Sequence, residues 1–326
     1  MRRNIVLLAA VASCSNTPVV PDATVCPFVE RACPMNCGPT GDGDCCESPV
    51  VPGGTFFRDY DEGADGKFPD MSHPATLGAF RLDKYEVTVG RFRAFVEAGM
   101  GTSQCPPATG AGEHAQIPGS GWDETWRGDL FRDTAQLVNS LTCSPVQATW
   151  TDDPGANENL PINCVSWATA MAFCIWDGGY LPTAAEWSYA ATGGEEQRSF
   201  PWSQPSEALD ADCTQASYRR TIGACSAITP VGSKPAGDGR WGHADLAGNV
   251  WEMLLDWTTL SFSPTYIDPC ADCARLTPLS PTFLFREMRG GAFTSETVRL
   301  RAANRSGIMT TLTNVGIGFR CARSGP

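Results

Sequence analysis

The sequence predicts an irregular, loop-rich α+β domain that follows a cysteine-rich N-terminal segment. Three segments begin with a helix cap and carry an apolar stripe, and two short segments are typical of strands. The chain after Gly194 is dominated by loop residues rich in Gly, Pro and aromatic side chains. The 326 residues include 15 Cys and 10 Trp, which indicates long loops held by buried tryptophans and disulfides.

The first part of the domain contains two predicted strands and one predicted helix. Residues 51–57 include a Pro-Gly turn and are expected to form the first strand. Phe80–Val87 alternates between apolar and polar residues and is expected to form the second strand. Thr88 then caps a helix that ends at Gly99.

Two more helices are predicted after a polar insertion at residues 101–159. The first begins at Ser166 and ends before Gly178. The second begins with a capping box formed by Thr183 and Glu186.

The composition excludes several classes of function. The chain has 36 acidic and 24 basic residues, and a formal charge of -12 argues against a nucleic-acid partner. After the N-terminus no apolar run approaches the ~20 residues that a membrane-spanning helix needs. The many cysteines favour an oxidising compartment.

Residues 1–13 are predicted to be a lipoprotein signal peptide. Arg2 and Arg3 precede an apolar run at Ile5–Ala12, and Cys14 follows shortly after. This ending resembles a bacterial lipoprotein signal, so we expect Cys14 to carry lipid and to anchor the exported chain to a membrane of the cell envelope. The alternative is an ordinary secretory signal in which Cys14 is removed or incidental.

Residues 14–49 are predicted to be a disordered or disulfide-stapled tether, and residues 50–326 the main domain. The tether is rich in Pro, Gly and Asp. A metal site is the alternative, but matched Cys-x-x-Cys pairs are missing. Five cysteines are an odd number, so at least one should pair with the main domain or stay free. They are Cys26, Cys33, Cys37, Cys45 and Cys46.

Several segments between residues 50 and 323 resemble the sulfatase-modifying factor family, also called the formylglycine-generating enzyme family. Their number and order make a chance similarity implausible, and only the insertion matches poorly. The resemblance implies a variant of the C-type lectin fold. The segments are Pro52–Phe56, Tyr85–Thr88, Val165–Ala170, Leu181–Ala190, Pro201–Trp202, Asp245–Glu252, Arg289–Phe293 and Gly318–Cys321.

The resemblance implies a structural Ca²⁺ at one short loop. Asp245, Gly248, Asn249 and Glu252 offer carboxylate, amide and backbone oxygens, which suit this ion. Family members usually have Asn where Asp245 stands. The alternative is a tight turn whose polar groups cap backbone N–H groups.

A disulfide between Cys174 and Cys321 is also implied by the resemblance. The other pairings remain open. Candidates are Cys105 with Cys143, Cys213 with Cys225, and Cys270 with Cys273 or Cys164.

The chain departs from the family at the catalytic position. The family's enzymes hold copper with two cysteine thiolates, and those positions fall at Ser295 and near Thr297 here. Hydroxyls do not replace thiolates as Cu(I) ligands, so we expect no copper and no catalytic residue of that kind. Ser295 as a nucleophile is an alternative that would need a base.

Two further candidates concern histidine and arginine. A three-histidine iron site, found in another branch of the family, would need all three histidines, and surface positions are predicted for them instead. They are His73, His114 and His243.

Arg299 and Arg301 would share a face if they lay on a strand. With Arg305 they could form an anion pocket, but we expect them to pair with carboxylates of this acidic protein.

The sequence therefore predicts a cell-envelope lipoprotein whose domain is a non-catalytic binding or scaffold module for an unidentified envelope ligand or protein. An enzyme of the same family with different chemistry is the alternative. Formylglycine generation is nearly excluded by the missing cysteines.

Overall fold

The computed structural model describes residues 33, 35–63, 65–204, 209–220, 225–259, 266–282 and 284–325. The predicted signal peptide, Cys14 and Cys26 lie outside them. The helices are α1 (Val89–Glu97), α2 (Thr134–Ser140), α3 (Trp167–Trp176) and α4 (Ala184–Thr192). The strands are β1 (Met35–Cys37), β2 (Gly43–Asp44), β3 (Val50–Val51), β4 (Gly54–Phe57), β5 (Pro74–Leu77), β6 (Phe80–Leu82), β7 (Trp251–Thr258), β8 (Cys270–Ala271), β9 (Phe285–Arg289), β10 (Ser306–Met309), β11 (Ile317–Gly318) and β12 (Ala322–Ser324).

The three predicted helix starts are confirmed. The Thr88 hydroxyl accepts a hydrogen bond from the amide of Arg91 at 3.3 Å, and Ser166 caps α3 in the same way. At α4 the capping box is complete, since Glu186 N donates to Thr183 Oγ1 at 3.0 Å and Thr183 N donates to Glu186 Oε2 at 2.9 Å. In the described part of the chain no helix has the length and apolar character needed to cross a membrane.

The strand predictions were less accurate. Residues 51–57 divide between β3 and β4, and the predicted strand at Phe80–Val87 is regular only as β6. The expectation of mostly loop after Gly194 was wrong for β7, which is the longest described strand. All eight residues of β7 are buried, so the strand lacks the apolar–polar alternation that identifies a half-buried strand.

The core surrounds a four-stranded sheet in the order β10-β9-β7-β11. Strand β7 pairs antiparallel with β9 and parallel with β11. The Trp167 indole on α3 donates to the carbonyl of Leu254 on β7 at 2.7 Å, which fixes that helix on the sheet. Two three-stranded sheets, β12-β6-β3 and β4-β5-β8, complete the domain among the described residues.

Disulfides hold the loops of the domain. Cys174 on α3 is bonded to Cys321, and the two Cα atoms are 5.4 Å apart. Cys143 pairs with Cys164, so the suggested closure of the insertion by Cys105 and Cys143 was wrong. The main domain also contains the bridges Cys213–Cys225 and Cys270–Cys273, and Cys105 is disulfide-bonded as well.

The described end of the predicted tether forms a disulfide knot. Its bridges are Cys33–Cys46 and Cys37–Cys45. The knot packs on the main domain, where Cys37 and Cys45 are buried against Tyr85.

Candidate functional site

The segment Asp245–Glu252, which we call the acidic loop, leads into β7 and includes its first two residues. Its backbone conformation brings polar groups inward. Asp245, Gly248 and Asn249 have φ angles of 58°, 86° and 57°, which are rare for residues with a side chain. A Cβ at Gly248 would overlap the carbonyl oxygen of Ser217, so only glycine fits there. The Gly248 amide donates to the carbonyl of Gly290 at 2.8 Å and joins this loop to the segment after β9.

Glu252, at the end of this loop, forms a buried ion pair with Arg320. Glu252 Oε2 lies 2.6 Å from Arg320 Nε, and Oε1 lies 2.7 Å from Nη2. The indole of Trp187 also donates to Oε2 at 2.8 Å. Two N–H groups of the Arg320 guanidinium and one indole N–H thus compensate the fully buried Glu252 carboxylate.

Glu86 completes an acidic cluster with this loop. It accepts from the Val250 amide at 3.2 Å and from Asn249 Nδ2 at 2.6 Å. Burial, and then the charges of Asp245 and Glu252, raise the pKa of Glu86 well above its usual value. Burial also raises the pKa of Asp245 to about 6. Glu86 lies in a segment that carries the family resemblance, but nothing local in the sequence indicates its place beside the loop.

All four predicted calcium ligands belong to this loop, but protein donors already engage many of their oxygens. Both oxygens of Glu252 accept the hydrogen bonds described above. Asn249 Oδ1 accepts from the Thr229 amide at 3.0 Å, and Asp245 Oδ2 accepts from the Gly232 amide at 2.6 Å. The oxygen chemistry and the excess of buried carboxylates suit Ca²⁺, whereas the hydrogen bonds are those of a tight turn. The calcium site stays a prediction.

Ser295 and Thr297 lie in the segment that follows β9. The Ser295 hydroxyl accepts from the Ala292 amide at 3.0 Å, and Ser295 is buried. Thr297 begins a 3₁₀ helix, Thr297–Leu300. No described histidine or carboxylate hydrogen-bonds to Ser295, so the described residues supply no base to activate it.

Three cavities lined by described residues adjoin this segment, and we call the two that Arg299 lines the Arg299 cleft. The volumes of these two are about 310 and 540 Å³, and Glu296 and Arg299 line both. The smaller cavity is also lined by Arg219, Trp251, Thr294, Ser295 and Ser306. The larger is also lined by Asp59, Lys67, Phe68, Pro69, Asp70, Tyr266, Val298, Ala303, Asn304 and Arg305.

The three arginines of the predicted anion pocket do not come together. Arg299 is exposed in the cleft, whereas Arg301 is buried and paired with Asp61. Arg305 lines the larger cavity, and its Nε lies 3.3 Å from Asp59 Oδ2. Arg299 lies in the 3₁₀ helix Thr297–Leu300 and Arg301 follows that helix, so the two side chains do not share the face that a strand would give them.

The histidines occupy separate places. His73 lies 2.8 Å from Asp268, and His114 lies 3.3 Å from Glu186. The described residues contain no cluster of three histidines that could hold a metal. His114 and His243 are buried, so the surface prediction was wrong for these two.

A profile of the sulfatase-modifying factor enzyme 1-like domain matches residues 38–325, which include the acidic loop and the cleft. The chain belongs to this family. The formylglycine-generating enzyme of Streptomyces coelicolor is 33% identical over 83% of this chain and 87% of its own length. The inactive C-alpha-formylglycine-generating enzyme 2 of Mus musculus is 26% identical over 84% of each chain.

Solved structures confirm the predicted loop-rich fold of this family. PvdO from Pseudomonas aeruginosa superposes with a TM-score of 0.58 at 22% identity, covering 90% of this chain and 98% of that one. CarF superposes with a TM-score of 0.52 at 17% identity. At this identity the likeness concerns the fold alone.

The donor set of this family member does not fit the copper that the resemblance implies for the enzymes. Every cysteine among the described residues is disulfide-bonded. The sequence has no cysteine between Cys273 and Cys321, the stretch where the paired thiolates would lie. Disulfide sulfur is not a thiolate, so the described residues offer no pair of soft ligands for Cu(I).

Proposed function

We propose that this chain is a non-catalytic binding module of the formylglycine-generating enzyme family. One observation carries the proposal: hydroxyls at Ser295 and Thr297 replace the thiolates, and the described cysteines are all bonded. A relative named as inactive matches the chain over a similar length to the enzymes, which supports loss of activity within this fold.

An aldehyde assay tests the proposal. The purified chain is incubated in air with Cu(I) and a peptide of the Cys-Pro-Arg type, and aldehyde is detected by hydrazide labelling and mass spectrometry. The Streptomyces coelicolor enzyme serves as the positive control. We expect no aldehyde from this chain, and stoichiometric aldehyde would overturn the proposal.

A matched variant tests the physical reason. Ser295→Cys combined with Thr297→Cys restores soft ligands, so it should bind Cu(I) more tightly than the wild type in competition with a chromophoric chelator. If the wild type bound Cu(I) measurably and as tightly as this variant, it would hold copper through other groups, and the argument from missing thiolates would fail.

We also propose a structural Ca²⁺ at the acidic loop, supported by the excess of buried carboxylates there. An ion held only by the folded state stabilises it, by about 2.7 kcal/mol when its concentration is 100 times the Kd. Thermal melting with Ca²⁺ and with chelator should therefore differ in the wild type and not in Asp245→Ala. Asp153→Ala, an exposed control, should keep the difference. Identical wild-type midpoints would remove the site.

The exported location is a proposal as well, supported by the disulfides, which need an oxidising compartment. The lipid anchor at Cys14 rests on the sequence pattern alone. Cys14→Ser should move the protein from the membrane fraction to the soluble fraction, and a variant that stays with the membrane would refute the anchor.

A further inference from the structure

Arg299 presents to the cleft a positive charge that is unpaired among the described residues. It is exposed and lines both cavities of the cleft, and its guanidinium makes no ion pair or hydrogen bond with any described residue. The neighbouring Arg219, Arg301 and Arg305 all pair with carboxylates. The Arg299 backbone is held, since its amide donates to Glu296 O at 2.9 Å. The cleft thus presents one uncommitted guanidinium on a fixed backbone.

Asn304 gives the larger cavity a second unused polar group. The residue is 9% exposed, and its buried Oδ1 accepts no hydrogen bond from a described donor. A primary amide offers both a donor and an acceptor. One residue of an extended peptide presents its N–H and C=O in the same direction, so such a peptide can satisfy both ends of the amide.

The rest of the lining narrows the class of ligand. Phe68, Pro69, Val298 and Ala303 provide apolar surface for aliphatic parts of a ligand. Carboxylates in the same cavity, and a chain charge of -12, disfavour phosphates and polyanions. A ligand that carries a single carboxylate next to an apolar group suits both the apolar lining and the negative charge of the protein.

We infer that the Arg299 cleft binds an acidic side chain of an extended polypeptide. The carboxylate pairs with the Arg299 guanidinium, and the peptide backbone lies along Asn304. This rests on the proposed function, since it names the ligand class of the binding module.

Fluorescence anisotropy with a labelled peptide tests this inference. The probe is a short, end-capped peptide with one Glu flanked by Leu, and its matched control has Gln in place of that Glu. We expect saturable binding of the Glu peptide, weakened about tenfold or more by Arg299→Gln, because a charged pair is lost. Arg132→Gln, at an exposed arginine of the insertion, should bind like the wild type.

The Glu-to-Gln change in the peptide should have no further effect on Arg299→Gln, since both changes remove one interaction. Melting confirms that both variants are folded. Equal binding of the Glu and Gln peptides, or unchanged binding by Arg299→Gln, would refute the inference. Tighter binding of a uronate oligosaccharide or of inorganic phosphate would reassign the cleft to another anion. A negative aldehyde assay without peptide binding would overturn this inference and leave the proposed function standing.

Discussion

Removal of the Cys174–Cys321 bridge should be the most destabilising change to any described disulfide. The bridge links residues separated by 147 positions, so it strongly restricts the unfolded chain. In the chain-entropy model a closed loop of this length contributes about 5 kcal/mol to the free energy of unfolding. The variant Cys174→Ala with Cys321→Ala should lose that amount.

The Cys270–Cys273 bridge provides the matched comparison, because its sequence separation is 3. The same model gives it about 1.6 kcal/mol, so the two alanine pairs should differ by about 3.5 kcal/mol. Urea unfolding of both variants and of the wild type, without reductant, measures the difference. A difference below ~1 kcal/mol would show that loop length does not set the contribution of these bridges.

Two further changes concern buried charge. Arg320→Met leaves the Glu252 carboxylate buried without its partner, so it should lower the free energy of unfolding by about 3–5 kcal/mol at pH 7. Urea unfolding measures this loss, and a value below ~1 kcal/mol would contradict the pairing. Burial, and then the charge of Glu287, raise the pKa of Asp256 from 3.8 to about 6. The raised pKa stabilises the folded state fully below pH 3.8, the unshifted pKa of Asp256. This stabilisation is lost as the pH rises through about 6. The wild type should therefore gain about 1 kcal/mol more than Asp256→Asn between pH 7 and pH 5, and parallel pH profiles in urea would count against the shift.

The sequence predicted most accurately what depends on neighbouring residues. The caps at Thr88, Ser166 and Thr183 are local hydrogen bonds, and all three helices begin where expected. β7 escaped prediction because its burial on both faces comes from distant packing. Pairing of Arg301 with a carboxylate was expected from the sequence, but its partner Asp61 was not, since that residue lies 240 positions away.

The acidic loop was also predicted only in part from the sequence. Its polar pattern indicated a cluster, but the contribution of Glu86 depends on a contact across 163 residues, to Asn249 Nδ2. The pairing of Glu252 with Arg320 spans 68 residues. No periodicity encodes such contacts, so only the resemblance pointed to the segments that meet there.

The contacts between the acidic loop and the segment after β9 bear on the proposed loss of the thiolates. The acidic loop holds the segment after β9 through backbone bonds, from Gly248 N to Gly290 O and from Phe293 N to Asn249 O, each at 2.8 Å. These bonds do not depend on the side chains at Ser295 and Thr297. The loop itself is fixed by the buried Glu252 ion pair. Under the proposed function, hydroxyls at Ser295 and Thr297 would leave these backbone contacts intact, and the Arg299 cleft could bind a ligand without the thiolates.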